Sequence, residues 1–354
     1  MSEPFTLRCA PAGWRPSSLH FAGFANSDLR VLRDAVAAGR VVHAVLDAGA
    51  LDLWPGLRAF LDDRALVLPG GESAKSFARL EQVLEHWTSN GVERGHVAFA
   101  IGGGAITDLV GLAAALCLRG IDFVSIPTTL LAMVDASVGG KTAIDLRSGK
   151  NLAGAFWPAS QVWIDAGFTK TETDQHYRAG LAEVVKVGLG LDPALFEHCE
   201  ATRHALAARE PESLRVAIRL AVARKVAVVE RDPAERDLRR LLNLGHTYGH
   251  ALEAWHRGRV PHGLCVAEGL RWIVALAERR SVLTGAAAAR VLDLLDAVGL
   301  AAVESPGPSA LLPFVARDKK VVGGRIQVVL PTAIGASTLV SMDPREFLDL
   351  DASG

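Results

Sequence analysis

The feature that most narrows the fold of this chain is a change of texture partway along it. Up to about residue 165, short β-branched runs alternate with helical stretches; from about Thr171, long Ala-, Leu-, Val- and Arg-rich helical segments take over. Val41 to Leu46, Ala65 to Leu68, His96 to Ile101, Ile121 to Ile126 and Gln161 to Ile164 read as strands, and Ser76 to Thr88 carries Leu80 and Leu84 at helical spacing. Strands that alternate with helices predict a parallel sheet in an α/β layer. Further on, Ser213 to Glu230 and Gly263 to Arg280 read as helices, with one late strand candidate, Arg325 to Leu330, closed by Pro331. Two domains are therefore expected in these 354 residues, an α/β one over 1–170 and a mainly helical one over 171–354. Between the textures, Pro127 to Ala155 has several glycines and little periodicity, and long unstructured stretches in compact domains are usually functional.

Charge excludes some functions. Lys and Arg number 38 against 39 Asp and Glu, so nothing in bulk draws the chain to nucleic acid or anionic lipid. The greasiest run, Leu109 to Cys117, is too short to span a bilayer and is closed by Arg119. Cys9, Cys117, Cys199 and Cys265 are scattered, and no basic leader with an apolar core opens the chain. The expectation is a cytoplasmic protein with neither membrane nor nucleic-acid partners.

Three patterns carry chemistry. Gly102-Gly103-Gly104 joins a strand to the helical run Ala105 to Cys117, where a phosphate can approach backbone N–H groups at a helix start. Alone, the pattern fits a plain tight turn equally well, since Thr107 stands where GxGxxG would place its last glycine. His246 and His250 stand four apart on one helix face, and with His262 and an upstream carboxylate they could complete a metal site with an open position. An arbitrary HxxxH pair is otherwise a solvated helix face. Glu183 and Lys186 stand three apart in an apolar window, where charges are costly without partners. Cations at Arg119, Lys141, Lys150, Lys225, Arg239, Lys319 and Lys320 suit an anionic substrate.

Together these stretches resemble the 3-dehydroquinate synthase family of sugar-phosphate cyclases. The matching runs are Gly102-Gly-Gly-Ala-Ile-Thr-Asp108, Leu118-Arg-Gly-Ile-Asp-Phe, Ile126 to Thr142, Gly149-Lys-Asn151, Gly180 to Lys186, Leu242 to Glu253 and Arg317-Asp-Lys-Lys320, in family order from roughly residue 40 to 340. The resemblance implies an N-terminal Rossmann-like domain holding NAD, a helical domain holding Zn2+ or Co2+, and an active site between them. It implies the metal ligands Glu183, His246 and His262, with His250 a nearby polar residue. Asp135, Lys141, Asn151, Lys186, Lys225, Arg239 and Asn243 match substrate contacts. Arg119 matches a phosphate-binding arginine that in this family can come from the other subunit of a homodimer, and one of Lys319 and Lys320 matches a further phosphate contact. The NAD positions are Asp47, Glu72, Lys75, Gly103, Gly104, Asp108, Thr128, Thr129, Lys150 and Thr171.

The implied reaction converts 3-deoxy-D-arabino-heptulosonate 7-phosphate to 3-dehydroquinate and phosphate through transient oxidation, elimination, re-reduction and intramolecular aldol closure. Asn243 favours this substrate, because related aminocyclitol and valiolone cyclases tend to carry an acid there. Three departures stand out: Thr107 replaces a usual glycine, Leu264 a usual glutamate, and Ala179 an often polar residue. Thr107 and Leu264 keep open a sister cyclase acting on sedoheptulose 7-phosphate or glucose 6-phosphate. A polyol dehydrogenase of the same broad fold would leave the phosphate-suited cations unexplained, and a non-catalytic NAD-binding descendant would be expected to have lost a ligand or lysine.

Overall fold

The computed structural model describes residues 5–21, 42–49, 65–317 and 321–349. Contacts divide it into two compact units, Met1–Glu172 with Lys225–Glu230, and Thr173–Arg224 with Arg231–Gly354.

The first unit is built on a sheet. Its strands are β1 (Phe5–Cys9), β2 (Ser17–Phe21), β3 (Val42–Asp47), β4 (Ala65–Leu68), β5 (Val97–Gly102), β6 (Asp122–Pro127) and β9 (Gln161–Ile164), in the spatial order β1-β2-β9-β6-β5-β3-β4. All neighbours run parallel except the antiparallel β1–β2 pair at one edge. Every residue of β5 is buried, as a central parallel strand covered on both faces requires. Helix α1 (Phe77–Ser89) starts where the Ser76 hydroxyl accepts the Arg79 N–H. Helix α2 (Gly104–Leu116) follows β5 directly and is apolar almost all round, which suits a helix buried on every side.

The order of the strands decides where a ligand fits. From β3 the chain moves outward to β4, then returns to place β5 on the other side of β3. The direction in which successive strands are added across the sheet reverses at β3, and such a switch point leaves a crevice beyond the carboxyl ends of β3 and β5. Asp47, Gly102 and Pro127 end β3, β5 and β6 there.

One sequence expectation is corrected in this unit. Pro127 to Ala155 is not structureless: it holds a π-helical turn (Ala132–Ala136) and a hairpin of β7 (Lys141–Leu146) and β8 (Gly149–Phe156), with an irregularity between Ile144 and Leu146. Its alternation was hidden because β8 is mostly exposed and glycine-rich. Strands β1 and β2 had no sequence signal strong enough to place them.

The second unit is mainly helical: α3 (Asp174–Leu191), α4 (Pro193–Ala201), α5 (Arg203–Ala207), α6 (Pro211–Arg231, of which Lys225–Glu230 counts with the first unit), α7 (His246–Trp255), α8 (His262–Arg279), α9 (Gly285–Ala297), α10 (Pro308–Val315) and α11 (Pro344–Leu348). A small antiparallel sheet, β10 (Val321–Val322), β11 (Arg325–Ala333) and β12 (Ala336–Met342), completes it. Pro331 does not end the late strand as expected; β11 runs through it, with a bulge between Pro331 and Ala333 that accommodates the missing donor.

Glycines set how closely α3, α7 and α8 pack. A Cβ on Gly269 would sit 2.0 Å from the Gly245 carbonyl oxygen, and one on Gly263 would sit 2.1 Å from that of Ala179. Gly245 itself, at φ 75°, is the left-handed residue from which α7 starts. Gly269→Ala should therefore destabilise the second unit by at least ~1–3 kcal/mol through overpacking against backbone. Denaturant unfolding of the variant should show a lower midpoint; a midpoint equal to the parent's would contradict this packing.

Candidate NAD and metal sites

In the first unit the predicted nucleotide residues gather at the carboxyl ends of β3 to β6. The Asp47 carboxylate accepts the Gly49 N–H at 3.0 Å, and its side chain packs over Gly70 and Gly102, where a Cβ would come within 2.2 Å of the carboxylate and 2.9 Å of the Asp47 Cβ. Gly103 caps α2 without any side-chain hydrogen bond, so the helix start presents bare backbone. Thr128 donates its N–H to the Gly102 carbonyl at 2.9 Å, and the Thr129 hydroxyl accepts the Ala132 N–H. Thr171 ends a 3-10 turn (Ala166–Thr171), next to Glu172, whose carboxylate accepts the Leu130 N–H at 3.0 Å.

At the first turns of α2 lies a charged network that includes Asp108. Lys75, 5 % exposed, donates to Asp108 at 2.7 Å and to the Asn151 side-chain oxygen. Glu72 stands 3.9 Å from Lys75 and 3.6 Å from Lys150. Asn151, at φ 56°, is pinned by its own N–H to the Asp145 carboxylate at 2.8 Å. Asn151, matched to a substrate contact by the resemblance, here accepts from Lys75. Asp145 was not singled out, and no motif would have found it. The Asp108 carboxyl is raised to about 6: burial is the main cause, Lys75 opposes it, and the charges of Glu72 and Asp135 add to it.

The remaining first-unit residues are placed as follows. Lys225 is buried and donates to the Asp135 carbonyl at 2.5 Å and to its carboxylate. Lys141 is exposed at the start of β7. Arg119 is exposed too, in a run Leu118, Arg119 and Gly120 with φ of 50°, 67° and 122°. Two successive non-glycine residues in the left-handed region represent stored strain, a frequent mark of functional loops. Lys319 and Lys320 lie outside the described residues.

In the second unit, three helices bring the predicted metal residues together. Glu183 sits mid-α3 and is 1 % exposed. Its Oε2 accepts from Lys186, itself buried one turn on, while its Oε1 is buried with no hydrogen-bond partner. That oxygen lies 3.9 Å from His246 Nε2 and 3.8 Å from His262 Nε2. The other nitrogen of each ring is occupied: His246 Nδ1 faces the Leu244 carbonyl at 3.2 Å, and His262 Nδ1 faces the Glu253 carboxylate at 2.9 Å. Both acceptors require Nδ1–H, which leaves both Nε2 lone pairs turned toward Glu183.

This fits a divalent cation. Tetrahedral donors about 2.0–2.1 Å from Zn2+ stand roughly 3.4 Å apart, so the observed separations need only a small contraction. Ligand-capable atoms of His246, His250 and His262 also lie within 4.8 Å of one another, which offers an all-histidine alternative. The orphaned Glu183 oxygen favours the carboxylate set, because a buried charge left unanswered is costly and a cation there would answer it. Burial works against charge on His262, but the hydrogen bond and charge of Glu253, then Glu183, leave its pKa raised.

Nearby, the Asp232 carboxylate accepts three backbone N–H groups, from Arg236, Asp237 and Arg239, and ties the loop that carries Arg239 and Asn243. The buried Arg239 guanidinium donates to the Pro233 carbonyl at 2.6 Å. The Asn243 amide donates to Glu235 at 3.0 Å. Sequence reading assigned no role to Glu253 or Glu235. The helical spacing of His246, His250 and Glu253 was a usable signal for the first; Glu235 had none.

The raised Asp108 carboxyl has a measurable consequence. A carboxylate with a folded pKa above its unfolded value stabilises the fold when protonated, and that contribution is lost as pH rises from about 4 through about 6, at most ~3 kcal/mol at ~1.4 kcal/mol per unit. Asp108→Asn should flatten this part of the pH–stability curve of the ligand-free protein. Parallel curves for variant and parent would show that the carboxyl is not held up.

Comparison with known proteins identifies the family. The 3-dehydroquinate synthase N-terminal family matches residues 65–179 and the 3-dehydroquinate synthase C-terminal family residues 180–321. A 3-dehydroquinate synthase of Xylella fastidiosa (strain 9a5c) is 43% identical over 346 residues, covering 96% of this chain and 86% of that protein. One from Solibacter usitatus is 40% identical over 281 residues, 78% of each chain. Among solved structures, the 2-epi-5-epi-valiolone synthase ValA of Streptomyces hygroscopicus subsp. jinggangensis, with NAD+ and Zn2+ bound, is 31% identical, covers 93% of this chain and 94% of its own, and superposes with a TM-score of 0.83. A 2-deoxy-scyllo-inosose synthase complexed with carbaglucose-6-phosphate, NAD+ and Co2+ shares the fold at a TM-score of 0.85 and 23% identity, with 98% and 99% of the two chains covered. With both family halves matched in order and such identity over nearly its whole length, this chain belongs to the 3-dehydroquinate synthase family.

Proposed function

We propose that this protein is a 3-dehydroquinate synthase, converting 3-deoxy-D-arabino-heptulosonate 7-phosphate to 3-dehydroquinate and phosphate. The observation that carries the reading is the second-unit centre: Glu183 Oε1 and two histidine Nε2 atoms face one another, with buried Lys186 on the remaining carboxylate oxygen. A divalent cation held by Glu183, His246 and His262 would supply Lewis-acid polarisation of a substrate hydroxyl, and NAD held in the first unit would supply a reversible hydride acceptor. Lys186 steadies the Glu183 carboxylate and offers donors to a hydroxyl or phosphate oxygen. Lys225, fixed by Asp135, presents a buried positive charge that suits a phosphate or carboxylate. Arg239 and Lys141 add further cations, and His250, its ring centroid 5.2 Å from that of His246, is suited to relay a proton.

Asp47, Glu72, Lys75, Gly103, Gly104, Asp108, Thr128, Thr129, Lys150 and Thr171 form the proposed NAD set. The clustering of most of them beyond the carboxyl ends of β3 to β6 supports it. A homodimer is the proposed assembly: Leu116, Leu118, Leu152 and Phe156 are exposed apolar side chains on the elements around strained Arg119. No helix among the described residues is long and apolar enough to cross a membrane, and all four cysteines are buried thiols, which suits the cytoplasm. The likeness to ValA favours a sister cyclase as second reading.

Metal-stripped protein given substrate, NAD and Zn2+ should release phosphate and form 3-dehydroquinate, with no net NADH. His262→Ala should fold but lose at least about 100-fold in metal-restored turnover, as removal of a ligand demands. Turnover of sedoheptulose 7-phosphate or glucose 6-phosphate instead would establish the sister cyclase. Full activity in His262→Ala would remove that residue from the ligand set.

A further inference from the structure

We infer that Glu253 is a positioning residue of the metal centre: its carboxylate fixes the ring and tautomer of His262 so that Nε2 faces the cation. The inference rests on the ligand set proposed above, and the experiment below separates its failure from the failure of that set.

The two histidines of the centre are held differently. His246 opens α7, and its Nδ1 is satisfied by the Leu244 carbonyl only two residues upstream. Backbone therefore sets that ring, and its side chain is just 10 % exposed. His262 has no such support. It is the first residue of α8, Pro261 caps that helix without a side-chain hydrogen bond, and its side chain is 30 % exposed. An imidazole in that position can rotate and can carry its proton on either nitrogen. Glu253 removes both freedoms. Its Oε2 stands 2.9 Å from His262 Nδ1, and a carboxylate only accepts, so the proton belongs on Nδ1 and the lone pair on Nε2. Nε2 then lies 3.8 Å from the orphaned oxygen of Glu183.

Glu253 is itself well placed for this task. It stands seven residues after His246 on α7, hence on the same helix face, and it is buried. The packing of Gly249 against the backbone of Cys265 and Val266, where a Cβ would meet the chain at 3.0 Å, brings α7 close enough to α8 for the carboxylate to reach. A buried carboxylate behind a histidine ligand also raises the ligand's basicity, and loss of such partners typically weakens metal binding about 10–100-fold.

A role confined to fold stability would leave the metal's surroundings unchanged, and Co2+ reports on those directly. Metal-stripped wild type, Glu253→Gln, Glu253→Ala, Glu183→Gln and His262→Ala would be titrated with Co2+ against a chelator. Affinity and the visible d–d spectrum would be recorded together, with circular dichroism as the check on folding. Glu253→Gln retains an oxygen that can accept from Nδ1–H; it should bind Co2+ about 10-fold more weakly with the wild-type spectrum. Glu253→Ala should bind up to about 100-fold more weakly with a changed spectrum, at wild-type helicity. If Glu253→Ala fails to fold, the Gln variant decides by its affinity. Wild-type affinity and spectrum in the folded Glu253 variants, alongside loss of Co2+ binding in Glu183→Gln and His262→Ala, would overturn the inference alone. Wild-type Co2+ binding in Glu183→Gln and His262→Ala would overturn the ligand set, and the inference with it.

Discussion

A single buried carboxylate organises the second unit. Glu183 lies in the middle of α3 among alanine, valine and leucine, and burying an ion there costs several kcal/mol before any partner is counted. Lys186 compensates one oxygen, and the protein offers nothing by hydrogen bond to the other. A cation held between that oxygen and the two histidine Nε2 atoms would complete it. The neighbouring helices are arranged as though that were so. Gly245, Gly249, Gly263 and Gly269 remove the side chains that would hold α7 and α8 away from each other and from α3, and the two Nε2 atoms arrive beside the unanswered oxygen. Packing against bare backbone thus fixes donor positions that flexible side chains alone would leave loose.

The first unit meets its charges differently. Lys75 is as deeply buried as a catalytic lysine, yet Asp108, Asn151 and Glu72 surround it. The network is nearly complete without a ligand, and the raised Asp108 carboxyl marks the residual tension of placing acids close together under cover. A nucleotide bound beside the uncapped start of α2 would meet this network, so recognition there would depend on backbone shape together with a pre-set polar array. The contrast is physical: in one unit a buried carboxylate oxygen faces two histidine nitrogens, in the other a buried lysine is ringed by the chain's own acids and amide.

The sequence made the α/β class legible because β5 and α2 are unambiguous: a fully apolar strand enters glycines and then an apolar helix, and only a buried parallel strand with its crossover satisfies that order. The long helices were equally plain from their 3.6-residue period. What escaped was what periodicity does not encode. The β7–β8 hairpin is exposed and glycine-rich, so it lacks the alternation that burial imposes. The second shell escaped for another reason. Glu253 was readable from its spacing on α7, but Asp145 and Asp232 act on backbone N–H groups, and any loop acid can do that.

The departures from the family are absorbed locally, and the structure shows how. Thr107 is buried within α2, where its hydroxyl donates to the Gly104 carbonyl one turn back at 3.0 Å. A polar group satisfied inside its own helix asks nothing of a ligand and leaves the β5–α2 turn as it was. Ala179 lies under Gly263, whose absent Cβ would strike its carbonyl, so the contact that matters at this position is between backbones. Leu264 alone changes the electrostatics, because it takes an acid out of the first turn of α8 immediately beyond His262. With that charge gone, Glu183 and Glu253 are the carboxylates found within 4 Å of the His262 ring nitrogens, and they sit on opposite edges of the imidazole. One faces the proposed ion and the other holds the proton away from it, so the geometry of the centre is carried by acids whose positions α3 and α7 determine.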